Sequence, residues 1–372
     1  MVRMRNVTFT GLIVGLLAAF TILSPQPARA QQAGNDGDCD DFVPGSDGGA
    51  DLLLQLGCIR NQTNNLTVIH QAEVISRVVG ARLAMPAALC REDECTEENG
   101  FRVTATADAP AAVQTPWNLW ADVKYTWIDP GHREFSPTKG DLFNGTAGID
   151  YRFNDRMVLG LVSSFESSDL DTGGLFPGNT NAQGFGGGAY AGFTLADNLI
   201  LNAMATGTWI DTDNSFTGVS ANIDSSRVQL SSGLTKYWYI GQTRITPSVQ
   251  ISWSKEFQDS FVDSNAAFNP KQRIESAVAT SGTTIGHTFA LSNGQSIEPW
   301  LAGNLDWTIY SQIQTDGLGK TKLGEFLDAR IQAGFNWNIM QNMQLSASGE
   351  VGGLIHRDQD TYAGELNLAI QF

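Results

Sequence analysis

The sequence predicts an all-β chain, a 12-stranded antiparallel transmembrane β-barrel preceded by a short α-helical segment. Three observations predict it. From residue 116 to the end, apolar and polar residues alternate with a period of two. Each alternating run holds ten or more residues, enough for a tilted strand to cross a bilayer. The connections alternate between short turns and long polar loops, the pattern of an up-and-down barrel with one tight rim and one loop-rich rim.

Residues 1–30 read as a signal peptide. Arg3 and Arg5 form a basic start, residues 7–23 an apolar run, and Ala28-Arg29-Ala30 an A-x-A cleavage pattern. Cleavage would leave 342 residues beginning at Gln31, with a net charge of 20 − 39 = −19. Residues 31–115 form a second segment. Its first half is acidic, with Asp36, Asp38, Asp40, Asp41, Asp47 and Asp51 and no base before Arg60, and reads as a solvated tail. A calcium loop fits poorly, because Asp41 stands where that loop needs Gly.

The four cysteines, Cys39, Cys58, Cys90 and Cys95, all precede residue 96. In an exported chain they are expected to form disulfides, and C-x4-C is poor zinc spacing, so neither metal nor cofactor is expected. Three pairings are open; proximity favours Cys39–Cys58 with Cys90–Cys95.

Residues 64–84 carry a helical stripe of Val68, Ala72, Ile75, Val79 and Leu83, with Asn64 or Asn65 as cap. A cleavage position at Asn64-Asn65 is the other reading of that pair, and the cap is preferred. His70, Glu73 and Arg77 fall on another face, and His70 is expected to face solvent. Residues 85–115 read as a linker, Ala-rich over 104–115.

The barrel occupies residues 116–372. Its first strand sets Trp117, Leu119, Ala121, Val123, Tyr125 and Trp127 against Asn118, Asp122, Lys124 and Thr126. The last sets Tyr362, Gly364, Leu366, Leu368, Ile370 and Phe372 against Ala363, Glu365, Asn367, Ala369 and Gln371. Between them, strands are expected at about 143–153, 156–167, 183–195, 198–211, 225–239, 243–256, 273–290, 295–310, 325–339 and 343–355. The eighth, 273–290, is irregular and its register is open. Long loops are expected at 129–142, 168–182, 212–224, 257–272, 311–324 and 356–360.

Strand length separates this pattern from a soluble sandwich, whose strands run to about 5–6 residues. Aromatics near strand ends, among them Trp117, Trp127, Trp209, Trp253, Trp307, Trp337 and Phe372, suit interfacial girdles. Charge stays off the apolar set except at Lys236, which can snorkel. The formal charge of −16 argues against a nucleic-acid partner.

Several stretches resemble the autotransporter β-domain, the C-terminal translocator of type V secretion: residues 117–129 (WNLWADVKYTWID), 145–153 (GTAGIDYRF) with Leu159-Gly160-Leu161, the strand at 184–193, and the terminal Phe372. The resemblance implies an outer-membrane barrel of a Gram-negative bacterium. It implies a helix threading the pore, for which residues 64–84 are the candidate. It also implies that the barrel-assembly machinery reads the last strand through Tyr362, Ile370 and Phe372. The chain departs at Asn367, where that signal usually has Gly, and its 85-residue segment before the barrel lacks a repetitive β-helix.

No enzyme chemistry is expected. His70, His132, His287 and His356 are followed two residues later by Ala72, Glu134, Phe289 and Asp358, so the His-x-Ser arrangement of barrel phospholipases is missing. Nothing beside His132 or His356 positions a nucleophilic water. The polar face carries Asp122, Lys124, Asp150, Arg152, Arg227, Arg244, Asp306, Asp328, Arg330, Glu350 and Glu365. These charges either pair with the helix through Arg77 and Arg82 and select solutes, or neutralise one another along the wall, as the 150/152 and 328/330 pairs suggest.

The function expected is display or export of the short N-terminal segment by a monomeric, non-catalytic barrel in contact with outer-membrane lipid. A porin-like channel and an adhesin acting through its long loops are the alternatives.

Overall fold

The computed structural model describes residues 48–84, 116–130, 138–173, 177–291, 294–340, 342–355 and 359–372. The expected signal peptide, the start of the acidic tail, the linker, Cys39, Cys90, Cys95, His132 and His356 lie outside them. Among the described residues one helix, α1 (Gly48–Leu83), precedes the sheet. The barrel strands are β1 (Trp117–Pro130), β2 (Thr138–Asn154), β3 (Met157–Thr172), β4 (Gly178–Ala196), β5 (Leu199–Phe216) and β6 (Val219–Lys236). They continue with β7 (Thr243–Gln258), β8 (Gln272–His287), β9 (Ser296–Thr315), β10 (Phe326–Met340), β11 (Met343–Gly352) and β12 (Gln359–Gln371).

Each strand pairs antiparallel with its chain neighbours. β1 also pairs with β12, from Asn118↔Gln371 to Pro130↔Gln359, so the twelve strands close into a ring. Closure leaves the ring without a sheet edge and satisfies its backbone internally, as a lipid environment demands.

The period-two pattern follows from this geometry. In β1, Asn118, Trp120, Asp122, Lys124, Thr126 and Ile128 are buried, whereas Trp117, Leu119, Val123, Tyr125 and Trp127 are exposed. The exposed set continues around the barrel through Leu161, Phe185, Trp209 (74% exposed), Leu230, Ile251, Leu301, Ile331 and Leu366. A belt of large apolar side chains outside a polar interior is the inverse of a soluble barrel and places lipid at the outer face. No described helix is long and apolar enough to cross a membrane; the strands are the crossing elements.

One rim carries tight turns, with Asn198 and Gly241 in the left-handed region at φ 53° and 67°. Trp117 and Phe372 meet here through paired backbone hydrogen bonds of 3.3 and 3.1 Å. The opposite rim differs from the expected loops. Instead of a loop over 212–224, β5 and β6 run on to Phe216 and Val219 and turn through Thr217 and Gly218 at φ 47° and 85°. Positive φ at both central residues suits the twist of a two-residue hairpin. Outside the apolar belt the outer strand face meets water instead of lipid, so Asp211, Asp213 and Asn222 stand there and the hydropathy period fades, while Thr212, Asn214, Phe216 and Ile223 stay buried on the inner face. Asn222 Nδ2 bridges Asp211 and Asp213 at 2.8 and 3.0 Å, which holds the extension together. Asp263, on the same rim, accepts backbone N–H groups from Ala267 and Asn265, and its carboxyl is held below the usual range, mainly by Ala267.

α1 fills the barrel. It starts at Gly48, sixteen residues before the expected cap (64 − 48), so Asn64 and Asn65 are mid-helix residues and the acidic tail is shorter than read. Leu53 O accepts from Gln272 at the loop-rich end of β8, and Arg82 donates to Pro116 O at the tight rim. The helix therefore runs from the loop-rich rim to the tight rim. At 1.5 Å per residue it is about 54 Å long, enough to traverse the barrel.

Because every face of α1 meets the wall, it needs no single apolar stripe. Val74, Ile75, Val78, Val79 and Leu83 dock on Trp120, Val158, Val162, Tyr190, Ile200 and Met204. Cys58 packs with Ile274, Ile313 and Leu323, and Ile59 with Ile128, Leu170 and Phe216. Inward Ile274 and Val278 explain the irregular eighth strand: its even positions face inward, and His287 faces outward. Gly80 marks the closest approach, since a Cβ there would lie 1.7 Å from Tyr237 Oη.

Candidate functional site

The candidate site is the lumen, where helix and wall are joined at three levels. At the outer level, Glu256 on β7 is fully buried and receives Arg60 through Nη2 at 3.0 Å and Nε at 3.3 Å. The same carboxylate accepts from Asn64 at 2.7 Å and Gln258 at 3.0 Å. Asn64 Oδ1 in turn accepts from Arg227 at 2.6 Å, and Arg227 pairs with Glu166 across the wall. Asn61 and Asn65 accept from Ser311 and Ser276. A mid-helix Asn is intrinsically unfavourable, yet here each side chain has a wall partner, which offsets its low propensity.

The middle level is charged on both sides. Arg330 on β10 reaches Glu73 of the helix at 2.7 Å, Asp306 on β9 at 2.5 Å and Glu350 on β11 at 2.8 Å. Lys124 on β1 holds Glu350 at 2.8 Å. Arg77 of the helix pairs with Glu365 on β12 and stands 3.6 Å from Asp122 on β1. His70 is not solvent-facing: it is 1% exposed, with Nε2 3.0 Å from Asp122 Oδ1. Inside the barrel, His70 meets the wall rather than water, which corrects the sequence expectation, while Arg77 on the same face keeps 39% of its side chain exposed.

At the inner level, Arg82 donates to Asp150 at 3.0 Å. Asp150 also accepts from Asn118 and from Tyr190, and Tyr190 accepts from Trp120 Nε1 at 2.7 Å. Ser76 meets Thr235 and Asn202 at 3.2 Å.

Of the predicted charges, Asp122, Lys124, Asp150, Arg330, Glu350 and Glu365 are buried against the helix or the wall. The expected pairing of neighbours two apart does not occur. Arg152 bonds Asp155 and Asn154 O at the tight rim rather than Asp150. Asp328 accepts the backbone N–H groups of Gly353 and Ile355 rather than pairing with Arg330. Side chains at i and i+2 on a strand are parallel, whereas groups on adjacent strands or on the helix approach head-on, so cross-element pairs prevail.

Glu256, Glu166, Tyr190 and Trp120 were missed, although Glu256 continues the parity of Thr246, Ser248 and Gln250. Tyr362 and Phe372 are exposed on the lipid side, and Ile370 pairs with outward Leu119. Cys58 is the one cysteine within the described residues, and none of these is a free thiol.

The arrangement can hold a helix in a charged channel. At the exposed tight rim Thr243 Oγ1 lies 2.9 Å from His287 Nδ1. The profile of the Autotransporter beta-domain matches residues 119–350. No curated protein matches the chain in sequence. Among solved structures, the translocator domain of the autotransporter NalP from Neisseria meningitidis matches at 12% identity with a TM-score of 0.57, over 69% of this chain and 89% of that one. The β-domain of the Bordetella autotransporter BrkA matches at 14% and 0.55, over 69% and 100%. The transport unit of AIDA-I from Escherichia coli matches at 13% and 0.53, over 73% and 94%. At these identities the likeness is one of fold.

Proposed function

The chain belongs to the autotransporter β-domain family, and on that premise we propose that it resides in the outer membrane and carries the residues ahead of Gly48 to the outer face, without catalysis. The observation that supports this is the helix that threads the lumen with its N-terminus at the loop-rich rim. In bacterial barrels the short turns face the periplasm and the longer connections face outward. A chain emerging from α1 at that rim therefore emerges outside.

Single-channel conductance in planar bilayers tests the reading, comparing the mature chain with a variant lacking residues 31–115. The mature chain is expected to be nearly silent and the deletion to conduct steadily. Equal conduction by both would remove the plug and favour a porin-like channel.

Further parts of the reading are that the barrel is monomeric and contacts outer-membrane lipid, and that the assembly machinery engages Tyr362, Ile370 and Phe372. The cysteines pair as Cys39–Cys58 and Cys90–Cys95. Reach rules out the alternative Cys58–Cys90 bond: from Cys58 to the end of α1 is about 38 Å along the axis. The seven residues from there to Cys90 extend only about 24 Å. Non-reducing peptide mapping is expected to recover the two named cross-links; a Cys58–Cys95 or Cys58–Cys90 peptide would overturn the assignment.

A further inference from the structure

His70 lies at the centre of the buried lumen, and neither of its ring nitrogens makes a hydrogen bond among the described residues. Its Nε2 stands 3.0 Å from Asp122 Oδ1, but off line, and that oxygen is also without a hydrogen-bond partner. A buried imidazole and a buried carboxylate oxygen left in this way each cost free energy unless something lies between them. The Glu365 carboxylate completes the group: one donor atom from each of His70, Asp122 and Glu365 falls within 4.8 Å of the others, and all three residues are buried.

We propose that His70, Asp122 and Glu365 form a site for a divalent first-row metal ion, with Zn2+ the best match, that fastens the helix to the strand pair closing the barrel. One imidazole and two carboxylates are a borderline-soft donor set suited to Zn2+. Ligand bonds of about 2.0–2.2 Å place tetrahedral donors about 3.4 Å apart, so a small rotation of one side chain closes the site.

The charge balance points the same way. The ion pairs around it fall into two neighbouring sets, Arg77 with Asp122 and Glu365, and Arg330 and Lys124 with Glu73, Asp306 and Glu350. Each set has one carboxylate more than it has permanent cations, so the two together carry two negative charges in excess, which a divalent ion at His70 would offset. Arg77, Gln332 and Asn367 hold the two carboxylates from behind, as outer partners of a metal site do. The three ligands come from α1, β1 and β12, so one ion would join the plug to both sides of the ring closure.

The test uses the refolded mature chain in detergent, stripped with EDTA and titrated with Zn2+ against a chromophoric chelator. One equivalent is expected to bind and to raise the unfolding temperature of the barrel. His70→Ala is expected to weaken binding by at least about tenfold, the loss seen on removing even an outer partner of a metal. Absence of a stoichiometric equivalent overturns the proposal. So does undiminished binding by His70→Ala, which would assign the metal to other histidines as an adventitious ion only. If His70→Ala does not fold, Glu365→Gln replaces it, and Co2+ is bound to the wild-type chain. A visible cobalt band that Glu365→Gln loses supports the site, and a wild-type chain without one overturns it.

Discussion

Replacing Arg330 with Met is expected to destabilise the folded barrel by about 3–5 kcal/mol, the cost of breaking a buried ion pair by removing one partner. Arg330 is the only cation in contact with Glu73 and Asp306 among the described residues, and it shares Glu350 with Lys124. Its side chain is 5% exposed, so water cannot substitute for it without opening the lumen. Met fills similar volume but leaves at least two carboxylates facing apolar and polar wall without a counter-charge. Urea unfolding followed by tryptophan fluorescence measures the loss. Adding Glu73→Gln to Arg330→Met is expected to recover part of it, because the pair shares one network. A change below about 1 kcal/mol in the single variant would mean that the three-strand pairing contributes little.

Glu256→Ala is expected to loosen the outer half of the helix and leave the inner half seated. Removing Glu256 leaves Arg60, 2% exposed, without its counter-charge, and removes an acceptor for Asn64 and Gln258. The local cost is again about 3–5 kcal/mol. Arg82–Asp150 and the apolar contacts of Val74, Val79 and Leu83 lie at the other end and are untouched. Amide exchange over residues 53–65 is expected to rise by orders of magnitude while residues 74–83 keep their protection. In bilayers the variant should flicker between silent and conducting states. Uniform acceleration along the whole helix would show instead that the plug moves as one body.

The strands were legible because lipid outside and a polar lumen inside impose opposite hydropathy on alternate residues. Trp120 and Ile128 broke the rule on β1, and Ile274 and Val278 on β8, because the lumen holds a helix with apolar patches. The helix itself was half legible. Its second half shows an apolar stripe, whereas the run Asn61-Gln62-Thr63-Asn64-Asn65 has poor helix propensity and reads as a cap. The wall partners Glu256, Arg227, Ser276 and Ser311 offset that low propensity, and they lie 160 or more residues away in sequence. His70 was misread for the same reason: a helix face without apolar residues looks solvated until the wall around it is known. Charges at i and i+2 gave no guide to partners, since Arg152 and Asp328 both turn to backbone or turn residues at the rims.

Eleven of the twelve strand junctions link consecutive strands, and only the pairing of β1 with β12 joins distant parts of the chain; Asn118 and Gln371 are 371 − 118 = 253 residues apart. The order of folding events follows from that asymmetry. The meander can zip hairpin by hairpin, each step closing a short loop, while the final registration waits for both chain ends. Loop-closure entropy grows only logarithmically with length, so the delay is one of search rather than of stability. Until the ends meet, the curved sheet has an open side through which the segment that becomes α1 can be laid in laterally, with its charges meeting their partners strand by strand. Once Trp117 and Phe372 exchange hydrogen bonds, that lateral route is gone and the helix can move only along the axis.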